Sequence, residues 1–167
     1  VNVRAIIERN NKGNTEVIIQ TRNKPGEEQS LELPGGQINK YESLIEALKR
    51  EVLEETGLIV TNIDGVKNRI DTSSMEYSFS MECVKPFAVY QTFEGTIDSM
   101  GVYFKCKAEG KLCRTGDCTK DVRWIDIKEL RSLIQTNPLL FSYIDRAGFM
   151  FYLNETLGFL IHILYKM

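Results

Sequence analysis

Two hydrophobic periods alternate along the chain. Residues 1–7 and 15–22 carry short runs of branched aliphatics (Val3, Ile6, Ile7; Val17, Ile18, Ile19) on either side of Asn10, Asn11, Lys12, Gly13 and Asn14. They predict two strands joined by a turn. Lys24, Pro25, Gly26 and Glu27 read as a loop, and residues 31–33 as a short strand running into Pro34, Gly35 and Gly36. The period then lengthens to that of a helix, from Tyr41 or Glu42 to Thr56, stopped at Gly57. Residues 58–63, 77–92 and 100–108 carry the aromatic and β-branched side chains of strands, punctuated by Gly65, Gly95 and Gly110. Residues 117–121 read as a loop before a strand at 122–125. A second helix follows over 127–135, and Asn137 and Pro138 break it. The expectation is an α/β chain with a mixed sheet between helices.

The first helix carries an unusual charge pattern. Glu51, Glu54 and Glu55 crowd into little more than one turn, and like charges at such spacing repel. On a helical wheel Leu44, Ile45, Ala47, Leu48 and Val52 fill an apolar arc of roughly 160°. Glu51 and Glu55 fall inside that arc and Glu54 at its edge, whereas Glu42, Glu46 and Lys49 point away and read as ordinary solvated positions. A purely solvated acidic face would put its glutamates opposite the apolar stripe. These three therefore point to a cleft beside the sheet, where a hard divalent cation offsets their repulsion.

Residues 36–58 resemble the Nudix box. Gly36, Glu42, Arg50, Glu51, Val52, Glu54, Glu55, Gly57 and Leu58 fill every fixed position of that motif. The strand-like segment before it and Arg123, Trp124 and Ile125 after it extend the likeness over most of the chain. The resemblance implies a Nudix-like α/β/α sandwich with a central mixed sheet. It also implies a metal-dependent hydrolase that cleaves a diphosphate bond in a nucleoside diphosphate linked to another moiety. ADP-ribose or a similar nucleotide sugar is the substrate it suggests first. Glu51, Glu54 and Glu55, with the Gly36 carbonyl, would hold Mg²⁺ or Mn²⁺. Arg50, Glu51 and Glu54 are the catalytic candidates, with Arg50 orienting a glutamate of its own helix. Glu42 is expected to be structural, favoured by the positive end of the helix dipole.

The general base is left open between a box glutamate and a later loop acid, for which Asp98, Glu109, Asp117 and Asp121 are candidates. Many members of the family place a glutamate six residues before the tryptophan of the Arg-Trp strand. Cys118 stands there in this chain, with Asp117 beside it. Arg22 and Glu32 flank the Gly-rich turn and could meet a polar ligand. Tyr77, Phe79, Phe87, Tyr90 and Phe93 suit either a sheet core or base stacking, with the core favoured.

Composition narrows the partners. The chain has 167 residues, 43% hydrophobic and 26% charged, which suits one compact domain over residues 1–167. A net charge of −2 gives no support for a nucleic-acid partner. Cys83, Cys106, Cys113 and Cys118 form no C-x-x-C pair and His162 is the sole histidine, so a zinc site lacks its usual ligands. Residues 1–8 lack the pattern of a secretory signal, and the expectation is a cytoplasmic protein with reduced thiols. The chain opens on Val1 rather than Met, which leaves room for an upstream segment. The apolar tail, residues 149–167, is shorter than a clean membrane span and is expected to pack on the domain or to form a homodimer interface. A non-catalytic, nucleotide-sensing Nudix-like module is the alternative, although no box carboxylate is missing.

Overall fold

The computed structural model describes residues 1–76, 78–116 and 118–158. Strands β1 (Asn2–Asn11) and β2 (Asn14–Arg22) form an antiparallel hairpin, as the turn residues between them require. Then come β3 (Leu31–Glu32), β4 (Gly35–Gln37), helix α1 (Leu44–Thr56) and β5 (Ile59–Ile63). The short β6 (Ile70–Asp71) and β7 (Glu82–Cys83) pair apart from the main sheet. They are followed by β8 (Ala88–Gln91), β9 (Met100–Glu109), β10 (Thr115–Gly116), β11 (Thr119–Asp126), α2 (Ile127–Thr136) and α3 (Tyr143–Leu157). The main sheet runs β10-β11-β2-β1-β9-β5, with β3 on β2, β4 on β1 and β8 on β9. Among the described residues only the β1–β9 pair of this sheet is parallel, which makes it mixed.

Strand alternation divides the core in two. Val3, Ala5 and Ile7 of β1 face one layer, where Ile45, Ala47, Leu48 and Val52 of α1 cover them. Ile6 faces the other layer, with Leu130 and Ile134 of α2 and Phe149, Tyr152 and Leu153 of α3. Successive side chains of a strand point to opposite faces, so one strand serves both layers. Burying each large aliphatic or aromatic side chain contributes roughly 1.5–3 kcal/mol. The result is the α/β/α sandwich that the sequence suggested.

Four local expectations differ from the structure. Helix α1 begins at Leu44 and not at Tyr41 or Glu42: Tyr41 takes a φ of 65°, outside the helical region, and Ser43 supplies the N-cap. Of the strand expected over 77–92, the described residues 78–92 do not form one strand. Pro86 has no N–H to give a ladder, and only β7 and β8 form there. Of the anticipated loop over 117–121, residues 119–121 belong instead to β11, which pairs with β10 and bulges between Lys120 and Arg123. Asp121, which tolerates the left-handed region, has a φ of 53° at that bulge. Glu42, finally, is not a solvated helix residue, because it precedes the helix and meets Arg50.

Of the apolar tail, residues 149–157 belong to α3 and pack into the second layer through Phe149, Tyr152 and Leu153. Residues 159–167, His162 among them, lie outside the described residues. Among the described residues no helix is long and apolar enough to cross a membrane.

Candidate active site

Helix α1 is anchored at both ends. The Ser43 side chain accepts from the Glu46 N–H, and Gly57, at φ 73°, donates its N–H to the Leu53 carbonyl. The Glu82 carboxylate of β7 accepts the Leu44 N–H at 2.8 Å and pairs with Arg69 at 2.6 Å. With its ends set, the 3.6-residue period puts Glu55 in line with Leu48 and Val52 on the buried side.

Glu55 meets the Gly-rich turn. One carboxylate oxygen accepts the Gly35 N–H at 2.7 Å and the Gln20 side-chain amide at 2.8 Å. Gln20 also reaches Glu32 at 3.4 Å. Burial pushes the Glu55 carboxyl up to about 7, against the hydrogen bonds from Gly35 and Gln20 that favour its charged form. Gly36 lies against Glu51: a Cβ there would stand 2.6 Å from both carboxylate oxygens. Glycine is needed at that position for a steric reason.

Arg50 gathers the remaining carboxylates. Its guanidinium gives two hydrogen bonds of 2.8 Å to Glu42, one of 2.7 Å to Glu51 and one of 3.2 Å to Glu54. The planar fork suits several carboxylates at once, where a lysine would offer a single point charge. Hydrogen bonds from Arg50 hold the Glu42 carboxyl down at about 2, well below its ordinary 4.5. A carboxyl lowered on folding contributes stability above its unfolded value and loses it as pH falls through the folded one. Glu42→Gln is therefore expected to lower Tm at pH 7, and the deficit should close between about pH 4.5 and 2. A deficit that persists unchanged at pH 2 would show that this ion pair is not its source.

A cleft of ≈ 900 Å³ holds Gly35, Gly36, Glu51 and Glu55 together with Arg4, Arg22 and Glu32. A smaller one of ≈ 450 Å³, between α1 and β5, contains Lys49, Arg69 and Asp71 but none of the three box glutamates. The larger cleft is thus the candidate site. Glu54 does not line it and stands at the rim, its side chain 52% exposed. Asp98, Glu109 and Asp121 are exposed and do not line the cleft either, whereas Cys118 does. Asp117 and Tyr77 lie outside the described residues. Phe87 and Tyr90 pack against Phe151 and Tyr103, with ring centres 5.5 and 5.3 Å apart, while Phe79 and Phe93 are exposed. Core packing accounts for the first two.

Sequence reasoning missed Arg4, Gln20 and Asp145. All three are buried at or beneath this cleft. Burial pushes Glu32 and Asp145 up. For Arg4, burial opposes the charged form, but the charges of Asp145, Glu32 and Glu55 outweigh it and raise the guanidinium. A signal was present for two of them: Arg4 and Gln20 interrupt otherwise apolar strand runs, where an unpaired polar group is costly.

Among the described residues no three Asp, Glu, His or Cys side chains are gathered as a ready ligand set. The donor types nevertheless suit a hard divalent ion, being carboxylate and carbonyl oxygens. The missing Cβ of Gly36 keeps the Glu51 carboxylate directly against the main chain.

The chain thus combines an α/β/α sandwich with an acid-lined cleft at a Gly-Gly turn. The chain belongs to the Nudix family, whose NUDIX domain model matches residues 1–146. It is 54% identical over 33 residues to an 8-oxo-dGTP diphosphatase of Buchnera aphidicola subsp. Acyrthosiphon pisum (strain APS). That match covers 20% of this chain and 27% of the relative. A NUDIX hydrolase structure from Nitrosomonas europaea superposes with a TM-score of 0.64 at 19% identity, over 94% of this chain and 71% of that one. The NUDIX domain of Shewanella oneidensis NrtR, in complex with ADP ribose, does so with 0.52 at 16% identity, over 78% and 75%.

Proposed function

We propose that the protein is a pyrophosphohydrolase that uses Mg²⁺ or Mn²⁺ to cleave the diphosphate bond of a nucleoside diphosphate derivative. The observation that carries this reading is the meeting of the complete box helix with the Gly35-Gly36 turn in one cleft that Arg22 also lines. Glu51, Glu54, Glu55 and the Gly36 carbonyl are the oxygens that would hold the divalent ion. Such an ion, when bound, neutralises phosphate charge and acidifies a bound water. Arg50 orients Glu51 and Glu54, to which it donates. Arg22, tied to Glu27 at 2.5 Å, presents a cationic edge to the phosphates. The attacking water loses its proton to a box carboxylate, because Glu51 and Glu55 line the cleft and the later acids Asp98, Glu109 and Asp121 do not. Its oxygen joins one phosphorus, and the bridging oxygen leaves with the other half of the substrate.

Two substrate groups come first, nucleotide sugars such as ADP-ribose and oxidised nucleoside triphosphates, since relatives are named for one or bound to the other. The test is nucleotide monophosphate and inorganic pyrophosphate release from a panel of both groups in Mg²⁺. Turnover abolished by EDTA and restored by added Mg²⁺ is the expected result. No turnover on any member, with thermal stabilisation by one nucleotide, would replace the enzyme with a nucleotide-sensing module.

A further inference from the structure

We propose that the buried pair Arg4 and Asp145 positions the Pro34-Gly35-Gly36 turn, and through it the box carboxylates. The inference rests on the hydrolase reading only for its consequence in turnover.

Charge at these two positions is unexpected, because both side chains occupy core positions. Arg4 stands on β1 between Val3 and Ala5, on the side of the sheet covered by α2 and α3. Asp145 sits in the first turn of α3 and is fully buried. The two face each other, with Arg4 Nε 3.7 Å from Asp145 Oδ1, and neither atom has a hydrogen-bond partner. Their remaining polar atoms grip one short stretch of chain. Arg4 Nη1 donates to the Leu33 carbonyl at 3.2 Å and to the Gly35 carbonyl at 2.8 Å. The Leu33 N–H faces the Asp145 carboxylate closely enough to favour its charged form. Asp145 is itself held by the Ser142 hydroxyl at 2.8 Å, and the Ser142 N–H reaches back to the Leu31 carbonyl at 2.9 Å.

Besides the packing of Leu33 in the second core layer, few main-chain contacts hold that stretch. β3 ends at Glu32 and β4 begins only at Gly35, and β4 pairs with β1 over three residues. Besides the Arg4 and Asp145 contacts, the Pro34 carbonyl accepts the Ala5 N–H at 2.8 Å and the Gly35 N–H goes to Glu55. Glu55 therefore takes its position from a turn whose carbonyls are held by Arg4, and Gly36 faces Glu51 from the same turn. The start of α3, far along the chain, is coupled in this way to the site. Arg4 and Asp145 are positioning residues, since neither is placed to react.

The test is the double variant Arg4→Met with Asp145→Leu. It removes both charges at similar volume, a replacement that buried ion pairs commonly tolerate without loss of stability. Hydrogen exchange read by mass spectrometry should show the amides of residues 33–37 exchanging at least about tenfold faster, with β9 unchanged. Mn²⁺ alone, titrated by electron paramagnetic resonance, should bind about tenfold more weakly, and kcat should fall by a similar factor. A folded double variant with wild-type exchange, Mn²⁺ affinity and rate overturns the proposal. Should the double variant fail to fold, Asp145→Asn keeps the volume and an acceptor for the Ser142 hydroxyl while removing the charge that faces Arg4. It should speed exchange at residues 33–37 alone, and unchanged exchange there overturns the proposal equally. A wild-type protein that binds Mn²⁺ but hydrolyses nothing overturns the activity assigned above, while the exchange and Mn²⁺ measurements still decide the role of the pair.

Discussion

Glu54→Gln is expected to lower kcat/KM for the Mg²⁺-dependent reaction on the order of 10²–10³-fold, which is about 2.7–4.1 kcal/mol of transition-state stabilisation. Its Tm should stay within about 4 °C of wild type, because an exposed ion pair is worth about 0–1 kcal/mol. Glu54 is such a case: it pairs with Arg50 at 3.2 Å from the rim of the cleft. Glu55→Gln behaves differently. The same Glu55 oxygen accepts from Gly35 and Gln20, and a neutral amide weakens both bonds or turns an NH₂ group towards those donors. Against that loss stands the relief of a buried charge, since burial pushes the Glu55 carboxyl up to about 7, so Tm should hold or rise while the activity is lost. Both variants are expected to leave the fold intact, Glu54→Gln because its ion pair is exposed and Glu55→Gln because it removes a buried charge. Parallel thermal melts and initial rates check both. A Glu54→Gln enzyme with a near-normal rate removes Glu54 from the metal site.

The largest loss of stability should come from Gly35→Ala. A Cβ at Gly35 would stand 2.2 Å from the Val3 carbonyl oxygen, and the residue has a φ of 142°. The obstacle is the Val3 backbone near the start of β1, which cannot move without disturbing its pairing with Val102 of β9. Strain of both kinds together is about 3 kcal/mol or more, a Tm loss of about 6–12 °C in a chain of this size. Gly36→Ala makes the useful contrast. Its Cβ would meet the two Glu51 oxygens, the movable end of a side chain. Glu51 can swing aside, so Tm should change little while turnover falls. Equal melting temperatures for wild type and Gly35→Ala would contradict the close approach of β4 to β1.

The box helix was legible because several local signals coincide there: an apolar arc, a glycine stop and carboxylates on the wrong side for a solvated face. Its start was misjudged by two or three residues, since Glu42 fits the helical wheel but sits before the Ser43 cap. The strand between residues 77 and 92 was overextended for a similar reason. Aromatic and β-branched content signals strand, whereas Pro86 and the pairing available to each residue decide whether one forms. Arg22 and Glu32 were read as residues that could meet a ligand, and both line the cleft. Arg4, Gln20 and Asp145 carry no spacing that relates them, so nothing short of the fold links them.

The sequence by itself determined the family, the alternation of strands and helices, and the identity of the carboxylates, because periodicity and a contiguous motif are local properties. Tertiary structure decided what those carboxylates do in the folded chain. Glu55 turns inward because the sheet buries it against Gln20 and Gly35, whereas Glu42, Glu51 and Glu54 converge on one arginine. It also brought Asp145 to Arg4 across 141 positions of chain. Such charges meet only after the sheet and α3 have packed, and no local pattern can encode a contact whose two halves are so far apart in sequence.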